Sequence, residues 1–171
     1  MQKIIDKAAV LVEAMPYIRR FHDAVVLVKF GGSVMEDAGP ADSALRDLVF
    51  MSLVGMRPLV VHGGGHEITK ALTAAGIETR FIDGLRYTCA ETIKVVDKLM
   101  HDDINPRLVS GINSHGGKGH ALSGKSILKC RRYQPLDKAG QPLDLGFVGE
   151  ITDVHTDALH KILETDAVPV I

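Results

Sequence analysis

The 171-residue sequence has no tryptophan, few aromatic residues, and only two cysteines, Cys89 and Cys130. Because these thiols have neither metal-ligand nor disulfide-framework spacing, we expect reduced, structural cysteines in a cytoplasmic protein. Neither sign of charge is in excess, since 20 basic residues balance 21 acidic ones and the net charge is −1. The composition therefore predicts no nucleic-acid partner and no attraction to a membrane surface.

The sequence also lacks an apolar run of membrane-spanning length. Its N-terminus lacks the layout of a signal peptide, because Asp6, Lys7 and Glu13 interrupt the apolar residues. The remaining composition, 46% hydrophobic and 24% charged, is typical of globular proteins. At this length the chain is expected to form one domain with a core of its own.

The most informative stretch is Leu59–Lys70, where an apolar run leads into three consecutive glycines, Gly63, Gly64 and Gly65. Apolar residues then recur at helical spacing, so the stretch predicts a buried strand, a glycine turn and a helix. In that arrangement backbone N–H groups and the positive end of a helix dipole face whatever binds. The expected guest is an anion, either a carboxylate or a phosphate.

A second stretch, Val25–Ser33, has the same strand-to-glycine form, with Lys29 near the strand end and Gly31 and Gly32 in the turn. One such motif is usually no more than a tight turn. Two of them, facing one another across a parallel sheet, would hold two anions close together. Phosphoryl transfer needs positive potential around the moving group and little covalent chemistry from the protein, and these groups would supply that potential.

The two ends of the chain have patterns of their own. Residues 1–22 predict a helix with an apolar stripe that Pro16 interrupts; it packs either on its own domain or, as an arm, on a neighbouring subunit. Short apolar stretches between Ala121 and Val154 predict hairpins, and Thr156–Leu163 predicts a helix. The last strand, Val168–Ile171, has nothing after it, which is how a βαβ chain looks when it is cut in the middle.

Three further candidates for chemistry need weighing. Gly119–Ser126 matches the Walker A pattern, but the expected strand–loop–helix context is absent, which argues against a P-loop at Lys125. His62 and His66 lie on opposite sides of the glycine turn, so we expect no metal site there. Arg86 is either a surface arginine or the fork that grips a substrate carboxylate, and spacing alone leaves both interpretations open.

Four motifs together are more specific than any one of them; they are Val28–Gly32, Val61–Gly65, Asp83–Thr88 and Asp144–Glu150. In this order they resemble the acetylglutamate kinases of the amino-acid-kinase family. The N-terminal helix looks like the extension of the arginine-inhibited branch, whose extensions interlace dimers into hexamers. The resemblance implies a three-layer αβα sandwich with a mainly parallel sheet, a homo-oligomer, and ATP-dependent phosphorylation of the side-chain carboxylate of N-acetyl-L-glutamate in arginine biosynthesis.

The resemblance also implies roles for individual residues. Lys29 would stabilise charge on the transferring phosphoryl group, and Gly31 and Gly32 would contact the phosphates of ATP, which brings Mg²⁺ with it. The substrate would lie against Gly64 and Gly65, with Arg86 clamping its α-carboxylate. These roles are listed together as the expected site: Lys29, Gly31, Gly32, Gly64, Gly65 and Arg86.

Family members continue into a nucleotide-binding half, so we expect an arm at residues 1–22, an acetylglutamate-binding domain at residues 23–171, and no competence for catalysis in this part alone. Two alternatives stay open at this point. One is a non-catalytic oligomerisation or sensor module, and the other is a related amino-acid kinase such as aspartokinase, which the Lys29–Val34 segment also resembles.

Overall fold

A computed structural model describes residues 1–31, 34–35 and 37–171. The helices are α1 (Gln2–Phe21), α2 (Ala38–Leu53), α3 (Gly65–Ala74), α4 (Ala90–Leu99), α5 (Asn105–Ser114), α6 (Gly124–Ile127) and α7 (Thr156–Leu163). The strands are β1 (Val25–Phe30), β2 (Arg57–His62), β3 (Phe81–Ile82), β4 (Leu85–Arg86), β5 (Gly119–Ala121), β6 (Leu128–Arg132), β7 (Gly149–Val154) and β8 (Val168–Val170).

Four strands form a parallel sheet in the order β1-β2-β8-β5. The predicted α/β class with a parallel sheet is confirmed, and so are the predicted strands that lead into the two glycine turns. Strand β5 is one of the elements that the sequence pattern missed. It contributes only Gly119, His120 and Ala121, which carry no apolar run, and pairs with β8 at one edge of the sheet.

Helices cover both faces of the sheet. On one face the buried residues of the sheet and of α2 and α5 form the larger core cluster, including Val60, Val170, Leu48 and Ile112. On the other face Leu59, which alternates with Val60, packs with Ile127 of α6 and Leu159 of α7. The alternation of neighbouring strand residues between two apolar layers is what makes the architecture three-layered.

Two antiparallel hairpins extend from this sandwich, β3–β4 and β6–β7. The second confirms the hairpin predicted within Ala121–Val154. Between α4 and α5 the helix widens into a π-helical turn, Met100–Ile104, which is followed directly by Asn105 and Pro106. A π-turn commonly marks a functional site, because the extra residue re-aims the side chains that follow it.

Helix α1 runs without a break through Pro16 to Phe21, so the predicted interruption is wrong. Proline removes one intrahelical hydrogen bond, but the helix continues on both sides of it. None of the residues of α1 is buried. Its apolar side chains are exposed, among them Ile4, Leu11, Val12 and Tyr17 at 73%, 68%, 64% and 62%.

Within the part of the chain that the structure describes, no helix combines the length and the apolarity needed to cross a membrane. Cys89 and Cys130 are both free thiols. Cys89 takes the N-cap position of α4, where its Sγ accepts a hydrogen bond from the backbone N–H of Thr92 at 3.5 Å. The Thr88-to-Glu91 spacing matches a capping box and would place the N-cap one position earlier, at Thr88, than the structure does.

Candidate functional site

The two glycine turns leave the sheet side by side. Strands β1 and β2 pair in register from Val25 opposite Arg57 to Phe30 opposite His62. Directly after this pairing, the N–H of Gly63 donates to the carbonyl of Phe30 at 3.0 Å. Because neighbouring strands lie about 4.8 Å apart, Gly31 and the Gly63–Gly65 turn begin at the same carboxyl edge. Gly32, the other predicted member of the first turn, lies outside the described residues.

Gly64 is the N-cap of α3 and is buried. A Cβ built on it would lie 2.7 Å from Ile104 Cδ1 and 3.0 Å from Met100 Sδ, so only glycine fits without displacing these side chains. Gly65, the first residue of the helix, is exposed, and a Cβ there would meet nothing within 4 Å. One glycine is therefore required by packing, and the other borders open space.

The start of α3 has the features of an anion site. A helix N-terminus directs backbone N–H groups outward along its axis, and the helix dipole adds positive potential there. The turn before it lies on the sheet edge, held by the hydrogen bonds of β2. The predicted succession of strand, glycine turn and helix is thus confirmed, and anion binding at this turn stays a prediction.

Arg86 of β4 reaches this glycine turn. Its Nη2 donates to the carbonyl of Gly65 at 3.2 Å and to Thr69 Oγ1 at 2.9 Å. Its Nη1 donates to Thr79 Oγ1 at 3.2 Å, and the guanidinium stacks 4.8 Å from the ring centre of Phe81. Partial burial lowers the pKa of Arg86 from its ordinary value, though an arginine stays charged. Three of its five donors are thus engaged in fixing a permanent cation beside Gly65.

A tight turn places Arg86. Asp83 and Gly84 have φ angles of +48° and +80°, so both central residues of the β3–β4 hairpin are left-handed. This is the pattern of a type I′ turn, for which Asp-Gly is a preferred sequence. The Asp-Gly dipeptide is a hairpin signal that can be read from the sequence alone. Thr69, which joins Arg86 to Gly65, had no sequence signal.

Lys29 lies on the exposed side of β1. It shares that side with Val25 and Leu27, whose side chains are 50% and 63% exposed, whereas Phe30 points into the core at 2%. Its partner across the strand pair is Val61. The ammonium group is therefore free of the core and emerges next to the strand that carries the Gly63–Gly65 turn.

A cavity of about 720 Å³ opens beside the glycine turn, a volume within the range of small-molecule sites. It lies between the ends of β2, β8 and β5 and the helix α4 with its π-turn; residues that line it include Val61, His62, Met100, Asn105, Leu122 and Ile171. Of the predicted site residues that the structure describes, none lines it. Arg86 and Gly65 lie beside α3, and Lys29 adjoins Val61 at its border.

Two buried polar residues at this cavity were not predicted as a pair. His62 and Asn105 are 8% and 6% exposed, and Asn105 Nδ2 lies 3.3 Å from His62 Nε2. His62 Nδ1 lies 3.1 Å from the carbonyl of Gly63. Burial lowers the pKa of His62, and this outweighs the opposing effect of the Gly63 carbonyl. The imidazole beside the glycine turn is therefore neutral at neutral pH.

The third and fourth sequence motifs meet in the fold. The N–H of Thr88 donates to the carbonyl of Leu145 at 3.0 Å, and the N–H of Phe147 donates to the carbonyl of Thr88 at 2.7 Å. Gly146, at a φ of +72°, passes so close to Thr88 that a Cβ would overlap the Thr88 carbonyl. The 144–150 segment therefore anchors the end of the hairpin that carries Arg86.

The Walker-like stretch does not have the structural context of a phosphate loop. In the Walker-like stretch, Gly119–Ala121 is strand β5 and the helix after Ser123 has four residues, so no phosphate loop with a long helix forms. Lys125 Nζ instead pairs with Asp97 at 2.7 Å. Among the described residues no cluster of three or more histidine, cysteine or acidic side chains is arranged to hold a metal ion.

Comparisons with known proteins identify relatives of the whole chain. The sequence model of the amino acid kinase family matches residues 24–171. The acetylglutamate kinase of Akkermansia muciniphila is 38% identical over 169 residues, which is 99% of this chain and 57% of that protein. That of Aquifex aeolicus is 40% identical over 182 residues, covering 100% and 61%. That of Methanobrevibacter smithii is 42% identical over 169 residues, covering 95% and 58%.

Solved structures share the fold. N-acetylglutamate synthase from Neisseria gonorrhoeae, in complex with coenzyme A and N-acetyl-glutamate, matches with a TM-score of 0.79 at 21% identity, covering 95% of this chain and 36% of that one. The protein smu.665 from Streptococcus mutans UA159 matches with a TM-score of 0.70 at 21% identity, covering 86% and 57%. The chain described above spans less than two thirds of the curated relatives that it matches.

Proposed function

The chain belongs to the amino acid kinase family, and from this premise we propose that it is the N-acetyl-L-glutamate-binding half of an ATP-dependent kinase acting in arginine biosynthesis. The proposed reaction phosphorylates the side-chain carboxylate of N-acetyl-L-glutamate. Relatives named acetylglutamate kinase, 38% to 42% identical over nearly the whole chain, support the substrate class. We also propose residues 1–22 as an arm and residues 23–171 as the substrate-binding domain.

One observation carries the proposal: the hydrogen bond from Arg86 to the carbonyl of Gly65. It joins a fixed guanidinium to the N-terminus of α3, so a permanent cation lies beside the backbone amides of the glycine turn. A small dianion such as N-acetyl-L-glutamate matches such a site, because one carboxylate can take the arginine while the chain of the ligand lies along the glycine turn. Gly65 presents open space where the ligand would approach.

The proposed roles are those that the resemblance implies, and the positions of these residues support them. Arg86 binds the α-carboxylate of the substrate, and the backbone of Gly64 and Gly65 binds along its length. Lys29, exposed at the neighbouring strand, stabilises the negative charge on the phosphoryl group in flight. Gly31 and Gly32 contact the phosphates of ATP; a Cβ on Gly31 would meet nothing within 4 Å, which is consistent with a backbone that faces a ligand.

The chemistry asks little of the protein beyond position and charge. The attacking carboxylate is already ionised at neutral pH, so no general base is needed. The barrier comes from bringing two polyanions together, and a lysine with two sets of amides lowers it electrostatically. Because the described residues offer no acidic cluster, Mg²⁺ would enter with the phosphates of ATP. By itself, the chain is expected to bind the substrate without transferring phosphate.

The assembly is part of the proposal. A helix of 20 residues without a buried side chain gains stability only by burying its apolar stripe elsewhere. We assign it to self-association of the chain, as a dimer or, through α1, a hexamer in the cytoplasm. The exposed Val25 and Leu27 on β1 give a second apolar surface, suited to contacts made by the further length found in the relatives.

Calorimetric titration of the chain with N-acetyl-L-glutamate tests the proposal. Wild-type protein is expected to bind, and Arg86→Lys is expected to weaken binding by roughly tenfold or more, since a lysine cannot hold the three hydrogen bonds that orient the guanidinium. The matched control is Arg80→Lys. Arg80 is an exposed arginine stacked 4.5 Å over Tyr87, and its replacement should leave the affinity unchanged. Equal affinity for the wild type and Arg86→Lys would contradict the assigned role, and no binding to the wild type would contradict the substrate.

A further inference from the structure

Asn105 is a buried amide that joins three parts of the site. Its Nδ2 donates to the carbonyl of Val170 at 2.8 Å and lies 3.3 Å from His62 Nε2. The Val170 carbonyl accepts a second hydrogen bond from the N–H of Leu122 at 2.9 Å. One side chain on a helix therefore contacts the ends of β2 and β8, and through Val170 it is linked to the end of β5.

The hydrogen-bond pattern fixes the orientation of both side chains. A carbonyl only accepts, so the nitrogen of the amide must face Val170, and its second hydrogen is then directed to His62 Nε2. That nitrogen accepts only when it carries no proton. The proton of the neutral imidazole therefore lies on Nδ1, which donates to the carbonyl of Gly63 at 3.1 Å. Among the described residues, Asn105 Oδ1 has no partner, so the amide acts through its nitrogen.

The π-helical turn gives Asn105 this position. Ile104 and Met100 of the turn pack so close to Gly64 that a Cβ on this glycine would lie 2.7 Å from Ile104 Cδ1 and 3.0 Å from Met100 Sδ. On the other side of Asn105, Arg107 Nη2 donates to both carboxylate oxygens of Glu67 at 2.7 and 2.8 Å, which ties α5 to the first turn of α3. Residues of the π-turn and of the start of α5 thus contact Gly64, the His62 side chain before the glycine turn, and the first turn of the helix that follows it.

We propose that Asn105 is a positioning residue for the glycine turn: by donating to Nε2 it holds His62 as the neutral Nδ1–H tautomer, and this tautomer fixes the Gly63 carbonyl and the amides that follow it. Asn105 does not touch the substrate. The role goes beyond the residues that the resemblance implies, and it rests on the proposed function only where a ligand is used to measure it.

The first test needs no ligand. Nitrogen-15 spectra of the imidazole rings, with His62 assigned by the signal lost in His62→Gln, report which ring nitrogen carries the proton. Wild-type chain at neutral pH is expected to have a protonated Nδ1 and an unprotonated Nε2. A His62 ring that is charged, or protonated at Nε2, would overturn the proposal whatever any variant does.

The second test uses a matched pair of substitutions on one helix. Asn105→Asp replaces the donor by an acceptor, so the proton of His62 is expected to move to Nε2 and the backbone amide signals of Gly63, Gly64 and Gly65 to shift. Asn113→Asp is the control. Asn113 is exposed, and its Oδ1 accepts from the N–H of Gly119 at 2.8 Å, a role an aspartate retains. In the control all these signals should stay in place.

Affinity for N-acetyl-L-glutamate completes the test. Asn105→Asp is expected to weaken binding by about tenfold, the loss of one buried hydrogen bond in the alignment of the turn, and Asn113→Asp should bind as the wild type does. If Asn105→Asp does not fold, Asn105→Leu takes its place. In that variant His62 loses its donor, and the Val170 carbonyl loses one of its two hydrogen bonds but keeps the one from Leu122. Unchanged affinity together with an unchanged His62 tautomer in a folded Asn105 variant would overturn the proposal. A wild-type chain that shows the expected tautomer but binds no N-acetyl-L-glutamate would contradict the proposed substrate alone.

Discussion

The neighbouring glycines Gly64 and Gly65 offer a sharp test of the site, because the same substitution should have opposite effects on stability. Neither has the left-handed φ that would favour glycine for conformational reasons. What differs is the space around them. A Cβ on Gly64 would lie 2.7 Å from Ile104 and 3.0 Å from Met100, whereas a Cβ on Gly65 would meet nothing within 4 Å.

The expected magnitudes follow from these distances. Gly64→Ala inserts a methyl group into a packed contact, which costs about 1–3 kcal/mol, here at the lower end because both obstructing atoms are ends of flexible side chains. Alanine is also a poorer N-cap than glycine by up to about 1 kcal/mol. A total near 2 kcal/mol corresponds to a fall in Tm of about 4–8 °C for a chain of this size. Gly65→Ala lies inside the helix and should stabilise by about 0.4–1 kcal/mol.

Thermal and urea unfolding of the two variants measure this difference in stability directly, and titration with N-acetyl-L-glutamate measures their affinity for the ligand. If Gly65 is glycine so that a ligand can approach its backbone, Gly65→Ala should raise stability and lower affinity together. A Gly64→Ala chain as stable as the wild type would refute the packing of the turn against the π-turn. A Gly65→Ala chain with full affinity would refute the close approach of substrate at that residue.

Two further predictions concern the supports of the site. Gly146→Ala should destabilise the fold by roughly 3 kcal/mol or more, since its Cβ would overlap the Thr88 carbonyl. Gly140 has a similar φ of +77° but lies in open space, so Gly140→Ala should destabilise the fold by only about 1 kcal/mol. Equal urea midpoints for the two variants would contradict the close approach of Gly146 to Thr88. Burial lowers the pKa of His62 in the folded chain, so as the pH falls below about 6.5 the His62 ring is protonated in the unfolded chain before it is in the folded one. The free energy of unfolding should therefore decline with acidification between about pH 7 and pH 5, by at most about 1.4 kcal/mol per pH unit. Urea titrations of His62→Gln should lack this part of the slope, and an identical pH profile in the variant would contradict the neutral, buried ring.

Much of the fold could be predicted because its signals are local. Val25–Val28 and Leu59–Val61 are apolar runs, ending at Lys29-Phe30 and at His62, and glycines follow each. Helix α7 begins and ends at Thr156 and Leu163, where the periodicity placed it. By contrast, β5 has three residues with no apolar pattern and exists because β8 offers it an edge to pair with.

The candidate site likewise combines residues with local sequence signals and residues that depend on tertiary contacts. Glycines between a strand and a helix have a recognisable local form, so the Gly63–Gly65 turn could be predicted from the sequence. The binding roles of Gly64 and Gly65 came from the resemblance alone and stay a prediction. The fork of Arg86 depends on a two-residue hairpin that turns it back over α3, and on Thr69 and Thr79, which have no distinctive spacing. His62 and Asn105 are 43 positions apart in the chain, and no sequence pattern indicates that Asn105 Nδ2 lies 3.3 Å from His62 Nε2 in the folded protein.

The contact between Asn105 and His62 shows how the π-turn affects the candidate site at the sheet edge. An unbroken α-helix through residues 90–114 would advance each side chain by about 100° per residue, and the five-residue turn Met100–Ile104 changes the phase of everything after it. Asn105 and Ile104 then face the glycine turn while Leu108 and Ile112 still reach the core, both at 4% exposure or less. The helix thereby serves the core along one stretch and the site along another, and the sequence marks the transition only by the proline at position 106. A substitution that restored regular α-helical winding there would have to withdraw either the amide from His62 or the leucine from the core, so the π-turn is the point at which fold stability and site geometry are coupled.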